Sequence, residues 1–359
     1  YLDVPRFLKT STEKNLQIIA NDLCKEFDVY YMYSNKEKKE TREKFMDPSI
    51  TLIPFTYSSV GNKYPYYVHG MDVHIKNVIN AHGIDLVIVS ESGHTIYPII
   101  TIKNTPILMV SNFGSPTLQK NIVHINYVSD AVRKYAQSYT GQDMKYSVLN
   151  TPTTTVTKKE HVKNLRGILN IQDTDFVFGR IGRNSDSIFD PIGIRAFQKI
   201  VKQYPEAKYL IMSPPPILEK IVKEESIPNV IFIQPSFNED DVWAFHYAID
   251  SLAHFRCDGE SLGLNIAESM KVGNPIISHK SRVWNAHTEY LDKTFSRVSE
   301  IDNIDEYASY MEEFILLKRD NVSIWNTMRD SSQERGLQLF TKESYMEELK
   351  KIIQGHLNK

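Results

Sequence analysis

The sequence predicts an α/β protein with two doubly wound, parallel-sheet domains that face a cleft. Three observations support this prediction. At 359 residues the chain exceeds the usual size of one hydrophobic core, so two domains are expected. Short apolar runs alternate with amphipathic helical stretches, which favours right-handed βαβ crossovers. The apolar runs are nearly continuous, as is typical of strands in sheets covered by helices on both faces.

The first part of the chain, residues 1–150, is expected to form the N-terminal domain. Helical spacing of apolar residues predicts helices at 11–25 and 71–82. Continuous apolar runs predict strands at 27–33, 50–54, 84–90, 106–110, 122–127 and 146–149.

A polar, threonine-rich stretch after Asn150 predicts a linker, and residues 151–330 are expected to form a C-terminal domain. The predicted strands of this domain lie at 176–181, 208–212, 230–234, 249–255 and 275–278, and its predicted helices lie at 191–204, 217–225, 239–248 and 264–272. Residues 331–359 predict an amphipathic helical tail that packs back on the N-terminal domain. Contact of this tail with a membrane surface is the alternative.

Composition excludes several classes of function. A formal net charge of -2 gives no overall basic field, so nucleic acid is not expected as a partner. The two cysteines, Cys24 and Cys257, form neither a disulfide framework nor a zinc-ligand spacing, and a cytoplasmic protein is expected. Because no apolar run approaches the length of a membrane span, any membrane contact is expected to be peripheral.

The segment after the strand that ends near Phe255 has the features of an anion-binding and sugar-binding site. Gly263 precedes a helix that begins near Leu264, and its missing side chain lets a ligand approach the backbone. The unpaired N–H groups and the dipole of this helix favour a diphosphate. Glu260 stands in the loop and Glu268 about one turn inside the helix, so the two carboxylates can contact different parts of one extended ligand.

This segment resembles the signature of the retaining glycosyltransferases of family 4, which have the GT-B fold of two Rossmann-like domains. The matching positions are Glu260, Gly263, Glu268, Ser269, Met270, Gly273, Pro275, Ile276 and Ile277. The resemblance implies transfer of a hexosyl group, with retention, from a nucleoside diphosphate sugar such as a UDP-sugar to an acceptor hydroxyl. It implies a carbohydrate, lipid-linked or protein-linked acceptor, and neither a metal nor a cofactor.

The resemblance also implies roles for individual residues. Glu260 would hydrogen-bond the donor sugar, and Glu268 would hold the ribose hydroxyls of the nucleotide. The backbone around these residues would contact phosphate or sugar, which makes Ser261, Leu262, Gly263 and Leu264 donor-binding residues. Considered singly, a helix cap at Glu260 and a solvated helix charge at Glu268 are the alternatives.

A second segment, Phe178-Gly-Arg-Ile-Gly-Arg, ends a predicted strand and resembles the Gly-Arg strand end of the family. Arg180 and Arg183 would stabilise the charge that develops on the departing diphosphate. The family usually has a lysine five residues after the arginine, but this position is Ser185. Arg183 is expected to take the place of that lysine, and surface ion pairing is the alternative for both arginines.

The acceptor side has weaker signals. Tyr66 belongs to an aromatic cluster that could stack on sugar rings, and His94 follows the strand predicted at 84–90, where it would point into the cleft. Local packing and a structural histidine are the alternatives. The acidic pair Asp173 and Asp175 precedes its strand instead of following it, so a turn is expected there and no metal site.

Three other functions remain open from the sequence. A nucleotide-sugar epimerase on the same fold would form epimers without an added acceptor. A catalytically silent, glycosyltransferase-like partner subunit is suggested by Ser185 and by the lack of glycine at residues 2–10. A carbohydrate-binding module would have no use for Glu268 or the arginine pair.

Overall fold

The computed structural model describes residues 11–34, 45–55, 71–91, 99–114, 119–140, 145–236 and 238–358. The chain divides into two compact units. Unit 1 comprises Tyr1–Pro152 and Lys342–Lys359, and unit 2 comprises Thr153–Thr341. The helical segment that was predicted as one tail from residue 331 is therefore divided between the two units.

The helices among the described residues are α1 (Ser11–Leu23), α2 (Met71–His82), α3 (Asp130–Thr140), α4 (Leu165–Ile168), α5 (Ile192–Ile200), α6 (Pro216–Glu224), α7 (Glu239–Ala248), α8 (Leu264–Lys271), α9 (Ile304–Asp320), α10 (Val322–Leu339) and α11 (Lys342–Leu357). The strands are β1 (Tyr30–Ser34), β2 (Thr51–Phe55), β3 (Val87–Glu91), β4 (Ile107–Ser111), β5 (Ile122–Tyr127), β6 (Tyr146–Val148), β7 (Phe176–Ile181), β8 (Ala207–Met212), β9 (Val230–Ile233), β10 (Ser251–Ala253), β11 (Gly259–Glu260), β12 (Ile276–His279), β13 (Trp284–Asn285) and β14 (Ser296–Ser299). Every predicted strand overlaps an observed one.

Unit 1 contains a four-stranded sheet of order β3-β4-β5-β6 and a pair formed by β1 and β2, all with parallel pairing. The residues of β4 are all buried. Helix α11 packs on α1 of this unit. The Lys350 amine lies 2.8 Å from the Asp22 carboxylate and 2.7 Å from that of Glu26. The amide of Asn126, on β5, donates to the Tyr345 hydroxyl of α11 at 3.4 Å.

Unit 2 contains a six-stranded parallel sheet of order β14-β12-β10-β7-β8-β9. If these strands are counted along the chain from β7, the order from β9 to β14 is third, second, first, fourth, fifth, sixth, which is the order of dinucleotide-binding sheets. The order reverses between β7 and β10, which pair with each other. The parallel, doubly wound sheet predicted for this half of the chain is confirmed.

The end of β10 is held in place by aromatic packing. Phe255 follows the strand, is fully buried, and its ring lies 6.3 Å from that of Tyr209. The Tyr209 hydroxyl donates to the carbonyl of Ala253 at 2.7 Å. Helix α5 approaches closely at Gly193, where an added Cβ would lie 2.3 Å from the Phe255 ring. A side chain larger than hydrogen at this position would displace the end of β10.

Candidate active site

The predicted donor segment begins at the point where the strand order of unit 2 reverses. Ligands of open α/β sheets bind outside the carboxyl ends of strands at such a point. Ile181 ends β7, and His254 directly follows β10. Asn265, on α8, connects them: its Nδ2 donates to the carbonyl of Ile181 at 2.7 Å and lies 3.4 Å from Nδ1 of His254. The start of α8 is therefore fixed to the ends of both central strands.

Glu260 is positioned by a short parallel pairing. The two residues of β11, Gly259 and Glu260, pair with Trp284 and Asn285 of β13. Gly259 has φ +67, and a Cβ there would lie 1.8 Å from the carbonyl oxygen of Trp284. Only glycine fits this backbone conformation and this close approach. Gly259 thus determines the position of the Glu260 carboxylate.

Gly263 is the N-cap residue of α8 and has φ +91. A Cβ at this position would lie 2.9 Å from the hydroxyl of Tyr290, which donates to the Leu262 carbonyl at 2.5 Å. The structure therefore gives a reason for this glycine that is independent of any ligand: a left-handed backbone beside a buried tyrosine. The helix begins at Leu264, as predicted, and the N–H groups of its first two residues, Leu264 and Asn265, have no acceptor within the helix.

Glu260 is surrounded by groups that favour its ionised form. Its Oε1 lies 3.1 Å from Nε2 of His254 and its Oε2 lies 3.7 Å from the Arg256 guanidinium. Burial acts to raise the pKa of Glu260, but the hydrogen bond from His254 and the nearby positive charge outweigh it and hold the pKa below its ordinary value. With a side chain that is 12% exposed, Glu260 is an ionised and largely enclosed acceptor.

Arg256 holds the loop that carries Glu260. Its guanidinium makes a two-pronged ion pair with Asp258, with Nε–Oδ1 2.5 Å and a second N–O distance of 2.9 Å. Burial lowers the pKa of Arg256, but Asp258 and Glu260 more than offset it and raise the pKa. The backbone N–H of Arg256 donates to Nε2 of His279 at 3.1 Å, so His279 carries its proton on Nδ1 and donates to the Lys280 carbonyl at 2.8 Å.

Glu268 lies one turn inside α8 and faces a second buried histidine. Its Oε2 is 3.6 Å from Nε2 of His246, which is on α7 and is fully buried. This distance is longer than a hydrogen bond. The Glu268 side chain is 16% exposed. Its carboxylate therefore keeps more capacity to accept hydrogen bonds from a ligand than that of Glu260.

The two arginines that were predicted to hold the diphosphate have different surroundings. Arg180, on β7, is 1% exposed, lies 5.1 Å from the ring of Phe255 and donates to the Ser213 carbonyl at 3.3 Å. Burial lowers the pKa of Arg180 to about 10. Arg183 is exposed in the loop after β7, and its side chain makes no hydrogen bond or ion pair with the residues that the structure describes. The roles of both arginines stay predictions.

The remaining predictions fall on turns or outside the described residues. Asp175 accepts a hydrogen bond from the backbone N–H of Gln172 at 2.7 Å, in a turn before β7. In the described parts of the chain, no group of three or more His, Cys, Asp or Glu residues is placed to hold a metal ion. None of the described helices has the length and apolar character needed to cross a membrane. Tyr66, His94 and residues 2–10 lie outside the described residues.

Sequence reasoning missed the two histidines that face the glutamates, and it missed Arg256 and Asn265. His254 lies inside the strand predicted at 249–255, and His246 lies inside the helix predicted at 239–248. One signal could have found His254: it is a polar residue near the carboxyl end of an apolar strand, which is where sites form in a doubly wound sheet. No comparable signal marks His246.

Comparisons with known proteins bear on the fold. No protein-family model and no curated protein matches the sequence, but solved structures do. A glycosyltransferase from Rickettsia africae is 10% identical, the match covers 96% of this chain and 94% of that one, and the TM-score is 0.77. HepE from Anabaena, solved with UDP-glucose, is 15% identical, with 98% and 97% covered and a TM-score of 0.71.

A sucrose-phosphate synthase from Thermosynechococcus elongatus is 13% identical, with 95% and 92% of the two chains covered and a TM-score of 0.70. The chain has the GT-B fold. This was the fold implied by the resemblance of the segment around Glu260 and Glu268. Because one fold hosts many chemistries, activity has to be argued from the site.

Proposed function

We propose that the chain is a glycosyltransferase that moves a sugar from a nucleoside diphosphate sugar to an acceptor hydroxyl. One observation carries the proposal. Two carboxylates, Glu260 and Glu268, flank the N-terminus of α8 at the point where the strand order of a six-stranded sheet reverses. The fold is shared with solved glycosyltransferases, and HepE was solved with UDP-glucose, which supports a UDP-sugar as donor.

Different residues of the site bind different parts of the donor. Glu260, held as an ionised acceptor, receives hydrogen bonds from the donor sugar, and Glu268 receives those of the ribose hydroxyls. The first N–H groups and the dipole of α8 face the diphosphate. Arg180 and Arg183 add positive charge there.

The proposed chemistry is substitution at the anomeric carbon. The bond from that carbon to the diphosphate oxygen breaks, and the acceptor oxygen forms its bond on the same face, so configuration is retained. The acceptor proton passes to the departing diphosphate. Charge that builds on the diphosphate is stabilised by the helix terminus and the arginines. Retention, and activity without a metal or a cofactor, are parts of the proposal that come from the family resemblance.

The rest of the proposal concerns the acceptor and the place in the cell where the protein acts. Unit 1 binds the acceptor, which is a carbohydrate or a lipid-linked or protein-linked molecule. The protein acts in the cytoplasm, and it contacts a membrane peripherally where the acceptor is lipid-linked. No role with nucleic acid is proposed.

The test is a thermal-shift screen with UDP-, GDP- and ADP-sugars, followed by an assay for release of the nucleoside diphosphate. We expect a UDP-sugar to raise the unfolding temperature, because a ligand that binds only the folded state stabilises it. Release of the nucleoside diphosphate should require an acceptor, and it should continue when EDTA is added to remove metal ions. Epimer formed without an acceptor would indicate an epimerase instead. Binding with no release for any acceptor would indicate a silent partner subunit, and no binding at all would contradict the proposal.

A further inference from the structure

We propose that His254 is a positioning residue that holds Glu260 through an Nε2–H hydrogen bond, and that Asn265 fixes the tautomer of His254 that makes this bond. The effect on turnover rests on the proposed function. The tautomer rests on geometry alone.

The backbone of His254 is fixed at the end of β10. Its backbone N–H donates to the carbonyl of Ile277 at 2.8 Å, and its own carbonyl accepts from the Tyr307 hydroxyl at 3.0 Å. The side chain is 4% exposed. A buried ring on a fixed backbone has little freedom to move away from Glu260.

Asn265 determines which ring nitrogen carries the proton. Its Oδ1 accepts from the backbone N–H of Ile266 at 3.0 Å, and its Nδ2 donates to the Ile181 carbonyl at 2.7 Å. These two contacts orient the amide, so its second N–H is the group 3.4 Å from Nδ1 of His254. An amide NH2 group donates and does not accept. Nδ1 of His254 must therefore be the unprotonated nitrogen.

The proton then lies on Nε2, which is 3.1 Å from Oε1 of Glu260. A doubly protonated ring would place an Nδ1–H against the NH2 group of Asn265, where it has no acceptor. The arrangement thus turns a single N–H toward one of the two oxygens of Glu260. The other lone pairs of the carboxylate stay available for hydroxyl groups of a sugar.

The tautomer can be measured without turnover, by ¹⁵N NMR of imidazole-labelled protein. We expect Nε2 of His254 to be protonated and Nδ1 to be unprotonated, with the signals assigned by their loss in His254→Gln. Asn265→Asp replaces the donor by a carboxylate and should move a proton onto Nδ1. A wild-type His254 that is protonated on Nδ1 alone would overturn the tautomer assignment.

Kinetics tests the positioning. His254→Leu removes the donor, and we expect kcat for sugar transfer to fall about tenfold or more, since hydrogen bonds to charged groups are among the stronger ones. His254→Gln keeps an N–H and should retain most of the activity. UDP affinity should be unchanged in both variants, which also shows that they are folded.

The two proposals fail in distinguishable ways. A wild-type protein that transfers no sugar contradicts the proposed function but leaves the ¹⁵N result standing. A wild-type protein that transfers sugar, together with an equally active His254→Leu, contradicts the positioning role alone. If His254→Leu does not fold, an inactive but folded His254→Gln contradicts the role that we assign to the N–H donor.

Discussion

Glu260 and Glu268 belong to one segment, and each faces a buried histidine, yet the protein holds them differently. Glu260 lies 3.1 Å from His254 and 3.7 Å from Arg256, and its loop is fixed by pairing with β13. Glu268 stands on helix α8 and lies 3.6 Å from His246. A carboxylate with fixed protein partners is suited to orient a reacting sugar. One that keeps its hydrogen-bonding capacity is suited to bind the nucleotide.

The largest expected effect is that of removing the fixed carboxylate. Glu260→Ala should lower kcat for sugar transfer by about 100-fold, because at least one hydrogen bond to a charged acceptor is lost in the transition state. UDP affinity should stay the same. Steady-state kinetics and UDP titration calorimetry measure the two quantities. Glu260→Gln, which keeps the shape of the side chain, is the matched control. Its kcat should lie between that of Glu260→Ala and that of the wild type. Near-normal turnover of Glu260→Ala would remove Glu260 from the mechanism.

The second effect concerns the buried surroundings of Glu260. His287 donates from Nε2 to the carbonyl of His279 at 3.0 Å, and burial lowers the pKa of His287 to about 4. The unfolded chain has the ordinary histidine pKa of about 6.5. Between these values the unfolded chain binds more protons, so the free energy of unfolding falls as the pH is lowered through this window. We expect a loss of about 2 kcal/mol from pH 7 to pH 5.

Urea unfolding followed by tryptophan fluorescence reports on unit 2, because the three tryptophans of the chain, Trp243, Trp284 and Trp325, all lie in that unit. This choice matters because His124, in unit 1, also has a pKa lowered to about 4 by burial. His287→Gln keeps a donor for His279 but does not titrate, so it should lose less stability on acidification. An equal pH dependence in the variant and the wild type would show that His287 is not the group responsible.

The third effect is on the less constrained carboxylate. Glu268→Ala should weaken UDP binding about tenfold, since one hydrogen-bonding group to the ribose is lost, while kcat at saturating donor changes little. Calorimetry with UDP measures the affinity. Glu268→Gln keeps one acceptor oxygen, so it should lose less UDP affinity than Glu268→Ala. Unchanged UDP affinity in Glu268→Ala would count against the assignment, and a large loss of kcat in place of affinity would exchange the proposed duties of the two glutamates.

The sequence predicts the parts of this comparison that depend on local signals. The bounds of β7 and α7 agree with the prediction, because a continuous apolar run and helical spacing are visible within a few residues. The start of α8 was predictable because glycine and polar residues interrupt those patterns. Glu260 and Glu268 were singled out only by the family resemblance, because two glutamates at that spacing mean little by themselves. His246 and His254 were not predictable, because each lies inside an apolar segment and meets its glutamate only in the folded chain.

The strand order and the β11–β13 pairing were also out of reach. Both depend on contacts between segments that are distant along the chain, and β11 contains only Gly259 and Glu260. The positive φ of Gly259 and the nearby carbonyl of Trp284 fix that pairing, and neither is visible in a sequence pattern. The structural requirement for glycine at position 263 was likewise not visible in the sequence. From the sequence, Gly263 was interpreted as giving a ligand access to the backbone. The structure shows that a side chain at this position would also contact the Tyr290 hydroxyl.

The smallest expected effect tests whether Tyr290 contributes to the requirement for glycine at position 263, between the two glutamates. Gly263→Ala places a non-glycine residue at φ +91 and a methyl group 2.9 Å from the Tyr290 hydroxyl. We expect a loss of about 1–2 kcal/mol in the free energy of unfolding of unit 2, from the left-handed backbone and the contact together. Tyr290→Phe removes the hydroxyl, so Gly263→Ala should cost less in that background than in the wild type. A double-mutant cycle, followed by tryptophan fluorescence in urea, gives the difference. If the cost is the same in both backgrounds, the backbone conformation alone requires glycine, and Tyr290 serves only to hold the Leu262 carbonyl.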